Sequence, residues 1–134
     1  MKYPFTHKMQ YRVRYFDTDK MGVVWHGHYI EFFEAGRTEA MRSIGFCYDD
    51  LEKSGTMMPI VECGAKYLRP AKYDELITIE TTVREKPGAR MRFDYTVYGE
   101  DGVVDTTGFT TLAFINSETR RPCRPPKALR QTDD

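Results

Sequence analysis

The sequence has few cysteines, no long apolar run and no excess charge of either sign. Its three cysteines, Cys47, Cys63 and Cys123, lack the paired spacing typical of metal sites and of disulfide-rich secreted domains. Lys plus Arg and Asp plus Glu number 20 each, so neither nucleic acid nor an anionic membrane is an expected partner. No stretch is long and apolar enough to span a membrane, and residues 1–10 lack a signal-peptide core. We therefore expect a cytoplasmic protein with reduced thiols.

The composition is that of an ordinary folded protein. Of its 134 residues, 40% are hydrophobic and 30% are charged, which argues against disordered and fibrous classes. The length is within the usual size of one domain, and there is no internal repeat or linker. We expect a single domain over residues 1–134.

Apolar periodicity predicts one long helix among strands. Residues 27–44 carry an apolar stripe at helical spacing, and Gly45 follows where a left-handed C-terminal residue is expected. Apolar alternation or turn-bounded apolar runs predict strands at 9–15, 60–69, 77–84, 91–98 and 103–115. The tail, which contains several prolines, is expected to end loosely ordered. This order predicts an α+β fold in which a twisted antiparallel sheet of about five strands wraps one helix. Its exposed edges favour pairing between protomers.

The residues with chemical potential lie between the first strand and the long helix. Asp19 stands four residues after Tyr15 and seven before His26, where a helix start offers free backbone N–H groups. A carboxylate there can attack a carbonyl or activate water, an imidazole can position or polarise the reacting group, and the N–H groups can bind an oxyanion. On spacing alone, however, Asp-Thr-Asp before a glycine is explained more simply by an Asx-turn or a helix entry.

Two longer motifs resemble a known family. Asp-Thr-Asp-x-x-Gly-Val-Val-x-His-x-x-Tyr begins at Asp17, and Phe-Phe-Glu-x-x-Arg-x-Glu begins at Phe32. With the block Tyr-Leu-Arg-Pro-Ala-Lys-Tyr-Asp-Glu-Leu from Tyr67, they resemble the 4-hydroxybenzoyl-CoA thioesterase family of hot-dog-fold proteins. The likeness covers nearly the whole chain and is greatest to the branch of bacterial short-chain acyl-CoA thioesterases that includes the Tol-Pal-associated enzyme.

The resemblance implies hydrolysis of an acyl-CoA thioester to free acid and CoA, without a metal or redox cofactor. It implies that Asp19 is the catalytic carboxylate, that the backbone N–H of His26 contributes to the oxyanion hole, and that Tyr15 accompanies them. Substrate contacts are expected from Val24, Trp25 and Tyr29, although Trp25 replaces a frequent tyrosine, which leaves the acyl-pocket shape open. It further implies a homodimer or homotetramer with the site at the subunit interface. The acyl group, and CoA versus acyl-carrier-protein, stay open.

Several other residues have a structural interpretation as well as a functional one. Glu34 is a solvated or ion-paired helix residue, or the runner-up catalytic carboxylate, because more distant hot-dog thioesterases use a helix glutamate. Lys86 and Arg90 either bind the CoA phosphates or form a solvated strand edge. His26 and His28 do not share a helix face, so a metal site is not expected. Cys63, among apolar neighbours in a strand, is expected to be buried and inert.

Two other functional classes fit a hot-dog fold. A dehydratase that acts on hydroxyacyl thioesters carries a His-Phe-x-x-x-Pro type of motif, which this sequence lacks. A non-catalytic acyl-CoA-binding or regulatory domain keeps the pocket and can lose the carboxylate. The presence of Tyr15, Asp19 and His26 together favours the enzyme, and release of free thiol from acyl-CoA distinguishes the two.

Overall fold

The computed structural model describes residues 2–130. The main helix α1 spans Tyr29–Ser43 and follows a 3-10 turn at His26–His28, and a second 3-10 turn lies at Tyr15–Asp17. The strands are β1 Phe5–Arg12, β2 Thr56–Met57, β3 Ile60–Tyr67, β4 Leu76–Val83, β5 Arg90–Tyr98, β6 Val104–Ala113 and β7 Ile115–Asn116. Two short helices complete the fold, α2 at Tyr48–Lys53 and α3 at Lys127–Arg130.

Five strands form one antiparallel sheet in the order β1-β4-β5-β6-β3. β1 pairs with β4 from Phe5↔Val83 to Arg12↔Leu76, so the end of β1 lies beside the start of β4. β2 and β7 form a separate two-stranded sheet. The α+β architecture and the order of its main elements are confirmed, and β1 and β3 are the edges of the main sheet.

The helix packs against the sheet through its apolar stripe. Phe33 is fully buried and stacks on Tyr95, with ring centroids 4.6 Å apart and planes inclined by 6°. Gly108 on β6 permits this approach, since a Cβ there would lie 2.5 Å from the Phe33 ring. Gly36 similarly lies against Ile79, 2.7 Å from where its own Cβ would be. Small residues at these two positions therefore set how closely the helix lies on the sheet.

Several predicted boundaries need correction. The first strand runs from Phe5 to Arg12 rather than over 9–15, because a 3-10 turn at Tyr15–Asp17 takes over its predicted end. The start of the predicted helix, at 27–28, forms a 3-10 turn, and Gly45 after it has a φ of 83° as expected. The strands β2 and β7 were not predicted.

The expected burial of Cys63 is also corrected by the structure. Cys63 is exposed rather than buried, because β3 is an edge strand whose residues are mostly exposed. The described part of the tail forms α3, whose Leu129 is fully buried. The chain end, which was expected to be loosely ordered, lies outside the described residues. No described helix has the length and apolar character needed to span a membrane.

Candidate active site

A tight hairpin carries Asp19 after the end of β1. Thr18 and Val24 form an antiparallel bridge, and Val23 bridges to Lys72 in the segment that precedes β4. The N–H of Val24 donates to the carbonyl of Ala71 at 2.9 Å. The loop is thus held by backbone hydrogen bonds against the start of β4, close to the N-terminus of the helical segment.

The Asp19 side chain is exposed and fixed by one of its two oxygens. Its Oδ1 accepts a hydrogen bond from the N–H of Met21 at 2.8 Å, which is an Asx-turn. Within the part of the chain that the structure describes, Oδ2 accepts no hydrogen bond and joins no ion pair. The simpler explanation of the Asp-Thr-Asp sequence is therefore correct for one oxygen, and it leaves the other open to a ligand.

The first aspartate of the motif has a different role from the second. Asp17 is fully buried. Its Oδ2 accepts from the Tyr11 hydroxyl at 2.7 Å and from the Arg14 N–H at 2.8 Å, and its Oδ1 lies 2.6 Å from His28 Nε2. His28 Nδ1 lies 2.9 Å from Glu31 Oε2. Asp17 therefore joins the end of β1, the 3-10 turn and the start of the helix.

The start of the helical segment presents free backbone donors. His26 and Gly27 are its first residues, so no preceding helical turn supplies acceptors for their N–H groups. Within residues 2–130, neither N–H has a hydrogen-bond partner. The Trp25 ring lies over Gly27, where a Cβ would collide with the indole. Glycine thus allows the indole to cover this turn.

A cavity of about 190 Å³ opens beside these donors. Val24, His26 and Tyr29 line it, together with residues from β3, the following loop and β6: Tyr67, Leu68, Arg69, Pro70 and Thr106. Tyr29 is buried, its hydroxyl accepts from the Ala71 N–H at 3.1 Å, and burial raises its pKa. The Tyr29 phenol therefore stays protonated near neutral pH.

Arg69 supports one wall of this cavity. Its Nε donates to Asp105 Oδ1 at 2.7 Å, and its terminal nitrogens form a two-pronged contact with Asp101 at 2.7 Å. These hydrogen bonds lower the pKa of Asp101, whereas burial raises the pKa of Asp105. Arg69 is thereby engaged with two carboxylates inside its own chain.

The other predicted site residues lie outside this cavity. Tyr15 is 77% exposed and its ring packs edge-on against Tyr73 with centroids 5.9 Å apart. Trp25 is half exposed, and Glu34 is exposed on α1. Asp19 is not part of the cavity lining.

Lys86 and Arg90 lie at the opposite end of the sheet from the Asp19 loop. That loop contacts the segment just before β4, whereas Lys86 follows β4 and Arg90 begins β5. An eight-residue strand covers about 25 Å at about 3.3 Å per residue. Lys86 and Arg90 instead line a separate cavity of about 430 Å³ with Arg84 and Arg92. Within one chain, the predicted phosphate ligands and the predicted catalytic carboxylate are therefore far apart.

Sequence reasoning did not identify Asp17, His28, Tyr67 or Thr106. Asp17 and His28 belong to the motif from Asp17 to Tyr29, but no feature of the neighbouring sequence indicates that the Asp17 side chain is buried while that of Asp19 is exposed. Tyr67 and Thr106 reach the cavity through strand pairing, since they are cross-strand partners on β3 and β6. A polar threonine in a predicted strand carries no local signal of this kind.

Tyr11 gives a testable consequence of the buried network. Burial, and then the hydrogen bond to Asp17, raise its pKa from 10.0 to about 12. Because the folded pKa lies above the ordinary one, its stabilising contribution is complete below pH 10 and is lost as pH rises through about 12. The free energy of unfolding of the native protein is therefore expected to fall more steeply between about pH 10 and about pH 12 than that of Tyr11→Phe. Urea titrations across this range measure it, and parallel curves would contradict it.

Comparison with known proteins identifies the family. The model of the Thioesterase-like superfamily matches residues 13–132. YneP of Bacillus subtilis, provisionally named an acyl-CoA thioesterase, is 31% identical over 122 residues, or 91% of this chain and 88% of that protein. The acyl-CoA thioesterase YbgC of Haemophilus influenzae is 40% identical over 84 residues, or 62% of each chain.

A solved structure supports the same family assignment. The DHNA-CoA thioesterase of Staphylococcus aureus superposes with a TM-score of 0.84 at 34% identity, over 89% of this chain and 80% of that one. The hot-dog fold and the family resemblance expected from the motifs are thus confirmed. The chain belongs to the thioesterase-like superfamily.

Proposed function

We propose that this chain hydrolyses a small acyl-CoA thioester to a free acid and CoA. The observation that carries the proposal is an exposed carboxylate, Asp19, on a loop that is held against the segment before β4 and leads directly into a helical segment with two free N–H donors and a cavity beside it. Relatives named acyl-CoA thioesterase and DHNA-CoA thioesterase support the reaction class.

In the proposed reaction the thioester carbonyl lies at the entrance of the cavity. Attack on its carbon converts the carbonyl oxygen into an oxyanion, which the N–H groups of His26 and Gly27 stabilise. The carbon–sulfur bond then breaks, and the sulfur leaves as the CoA thiolate and takes up a proton. Neither a metal nor a redox cofactor is needed for these steps.

Asp19 performs the attack in one of two ways. As a nucleophile it forms a mixed anhydride with the acyl group, which water then hydrolyses. As a general base it removes a proton from the water that attacks the thioester. Both routes need an accessible carboxylate oxygen with a fixed orientation, and the Asx-turn through Oδ1 supports that arrangement. We propose that Tyr15 and the His26 ring border the entrance and position the thioester.

The cavity supports a small acyl group. Apolar side chains form most of its lining, and its volume is about 190 Å³. A protein cavity of about 150 Å³ binds benzene, so this one admits a short aliphatic or single-ring acyl group rather than a long chain. Val24 and Tyr29 would contact that group, and Trp25, whose ring lies over Gly27 outside the cavity, would contact the substrate beyond the acyl group.

A second protomer would bring basic side chains to the site. In their own chain, Lys86 and Arg90 lie beyond the far end of β4 from the Asp19 loop. We therefore propose a homodimer or homotetramer in which these residues of one protomer bind the CoA phosphates at the site of another. The edge strand β3 supports such an assembly, because its exposed apolar side chains include Ile60 and Val61.

Val61→Lys is expected to weaken this assembly. Val61 is the second residue of β3, and a charge introduced there must lose water when the edge is covered by another protomer. Sedimentation velocity at several concentrations should show a dissociation constant raised about tenfold or more, an interface change of about 1.4 kcal/mol. Val103→Lys is the matched control, since Val103 is 51% exposed and Val61 46%, but Val103 lies outside β3. Equal behaviour of both variants would contradict pairing through β3.

A panel of acyl-CoA thioesters tests the proposed function. Short aliphatic, single-ring aromatic and long-chain acyl-CoAs are incubated with the protein, and free thiol is measured with a colour reagent. Small acyl groups are expected to give catalytic thiol release, and long chains much less. Saturable binding of every thioester without thiol release would instead assign a non-catalytic acyl-CoA-binding domain.

A further inference from the structure

One buried hydrogen-bond network joins the turn just before Asp19 to the turn that carries the N–H donors of the proposed active site. Asp17, fully buried, receives hydrogen bonds from Tyr11 on β1, from the N–H of Arg14 just before its own 3-10 turn, and from His28 at the helix start. No other side-chain contact described within residues 2–130 links the Tyr15–Asp17 turn to the His26–His28 turn. The network therefore holds these two turns together at the side-chain level, in addition to the backbone hydrogen bonds of the hairpin between them.

In the contact between Asp17 and His28, each residue is two positions from a group with a proposed catalytic role. Asp17 precedes Asp19 by two residues, and His28 follows His26 by two. The distance between Asp17 Oδ1 and His28 Nε2 is 2.6 Å, a short charge-assisted contact. A change in that contact would alter the separation between the carboxylate and the N–H donors that bind the oxyanion.

The imidazole of His28 contacts a carboxylate on each side. Its Nε2 is hydrogen-bonded to the buried Asp17, and its Nδ1 lies 2.9 Å from Oε2 of the exposed Glu31. The ring also packs edge-on against Phe32, with centroids 5.1 Å apart, which restricts its rotation. His28 is thus a rigid bridge between a buried carboxylate and the helix.

We propose that Asp17 and His28 are positioning residues for thioester hydrolysis, which set the distance between the Asp19 carboxylate and the N–H donors of His26 and Gly27. This inference rests on the proposed function. Neither residue touches the thioester; both act through the geometry of the two turns. A displacement of about 1 Å in such a site can cost about a hundredfold in rate, so the expected effect is on kcat rather than on KM.

The test uses His28→Leu and His28→Gln in the full chain. Leucine cannot donate to Asp17, whereas glutamine keeps one donor and loses the bridge to Glu31. We expect kcat for a small acyl-CoA to fall about a hundredfold in His28→Leu and less in His28→Gln, with KM within about twofold. His7→Gln, the same substitution on β1 at a residue outside the proposed site, is expected to keep kcat within about twofold.

A double variant separates positioning from general destabilisation. If His28 acts through Asp19, adding His28→Leu to Asp19→Asn is expected to lower the remaining rate by less than about twofold. A folded His28→Leu protein with unchanged kcat and only a lower Tm contradicts the inference, as do fully multiplicative losses in the double variant. If His28→Leu does not fold, the comparison of His28→Gln with His7→Gln decides. Absence of thiol release by the native protein would overturn the proposed function itself, and full activity of Asp19→Asn would overturn the role of Asp19 together with this inference. An inactive Asp19→Asn with unaffected His28 variants overturns only this inference.

Discussion

Asp19→Asn is expected to lose thioester hydrolysis by about a thousandfold or more in kcat, while the protein stays folded. The loss is large because an amide neither attacks the thioester nor accepts a proton from water. The fold should survive because Asp19 is exposed and the asparagine oxygen can still accept from the Met21 N–H. Thiol release measures kcat, and circular dichroism with a thermal melt measures the folded state.

Glu34→Gln is the matched control for Asp19→Asn. It also replaces an exposed carboxylate by its amide, but on α1 rather than on the loop. We expect kcat to change by less than about threefold, the range of a solvated helix side chain. If Glu34→Gln abolished turnover and Asp19→Asn did not, the catalytic role would pass to the helix carboxylate.

Phe33→Ala is expected to lower the free energy of unfolding by about 3–5 kcal/mol, a large part of the stability of a small domain. Phe33 is fully buried, stacks on Tyr95 and fills the space that Gly108 leaves open. The sheet cannot close this gap by itself, because its strands are held in register by their hydrogen bonds. Urea denaturation gives the difference between the variant and the native protein.

Phe16→Ala controls for the loss of an aromatic ring as such. Phe16 is 70% exposed, so its removal is expected to change the free energy of unfolding by about 0.5 kcal/mol or less. A similar loss for Phe16→Ala and Phe33→Ala would show that the packing of α1 on the sheet does not dominate the stability.

The fold could be predicted well from the sequence where periodicity is strong. In β4 and β5 buried residues alternate with less buried ones, as their sequence alternation predicts, because one face of the sheet packs on the helix. The start of β1 was missed since His7 interrupts its apolar alternation. Its end was overextended since Tyr15 is aromatic but exposed. Cys63 was misjudged because burial on β3 depends on its place at the edge, which no local pattern encodes.

The candidate site could be predicted only in its local part. The motif from Asp17 to Tyr29 is contiguous, so its turn and helix start follow from short-range rules. Asp17 and Asp19 are the same residue type two positions apart, and their opposite exposure depends on Tyr11 and His28, which the fold brings together. The cavity walls from β3 and β6 likewise require strand pairing between distant segments.

The most direct test of the proposed hydrolysis follows one small acyl-CoA with the native protein. Bound acyl-CoA, free CoA thiol and free acid are quantified in the same samples over time, with Asp19→Asn in parallel. We predict that thiol and acid appear in equal amounts over many turnovers with the native protein, and that Asp19→Asn binds the thioester but releases almost none of either. Binding without release by the native protein, or equal release by Asp19→Asn, would contradict the account.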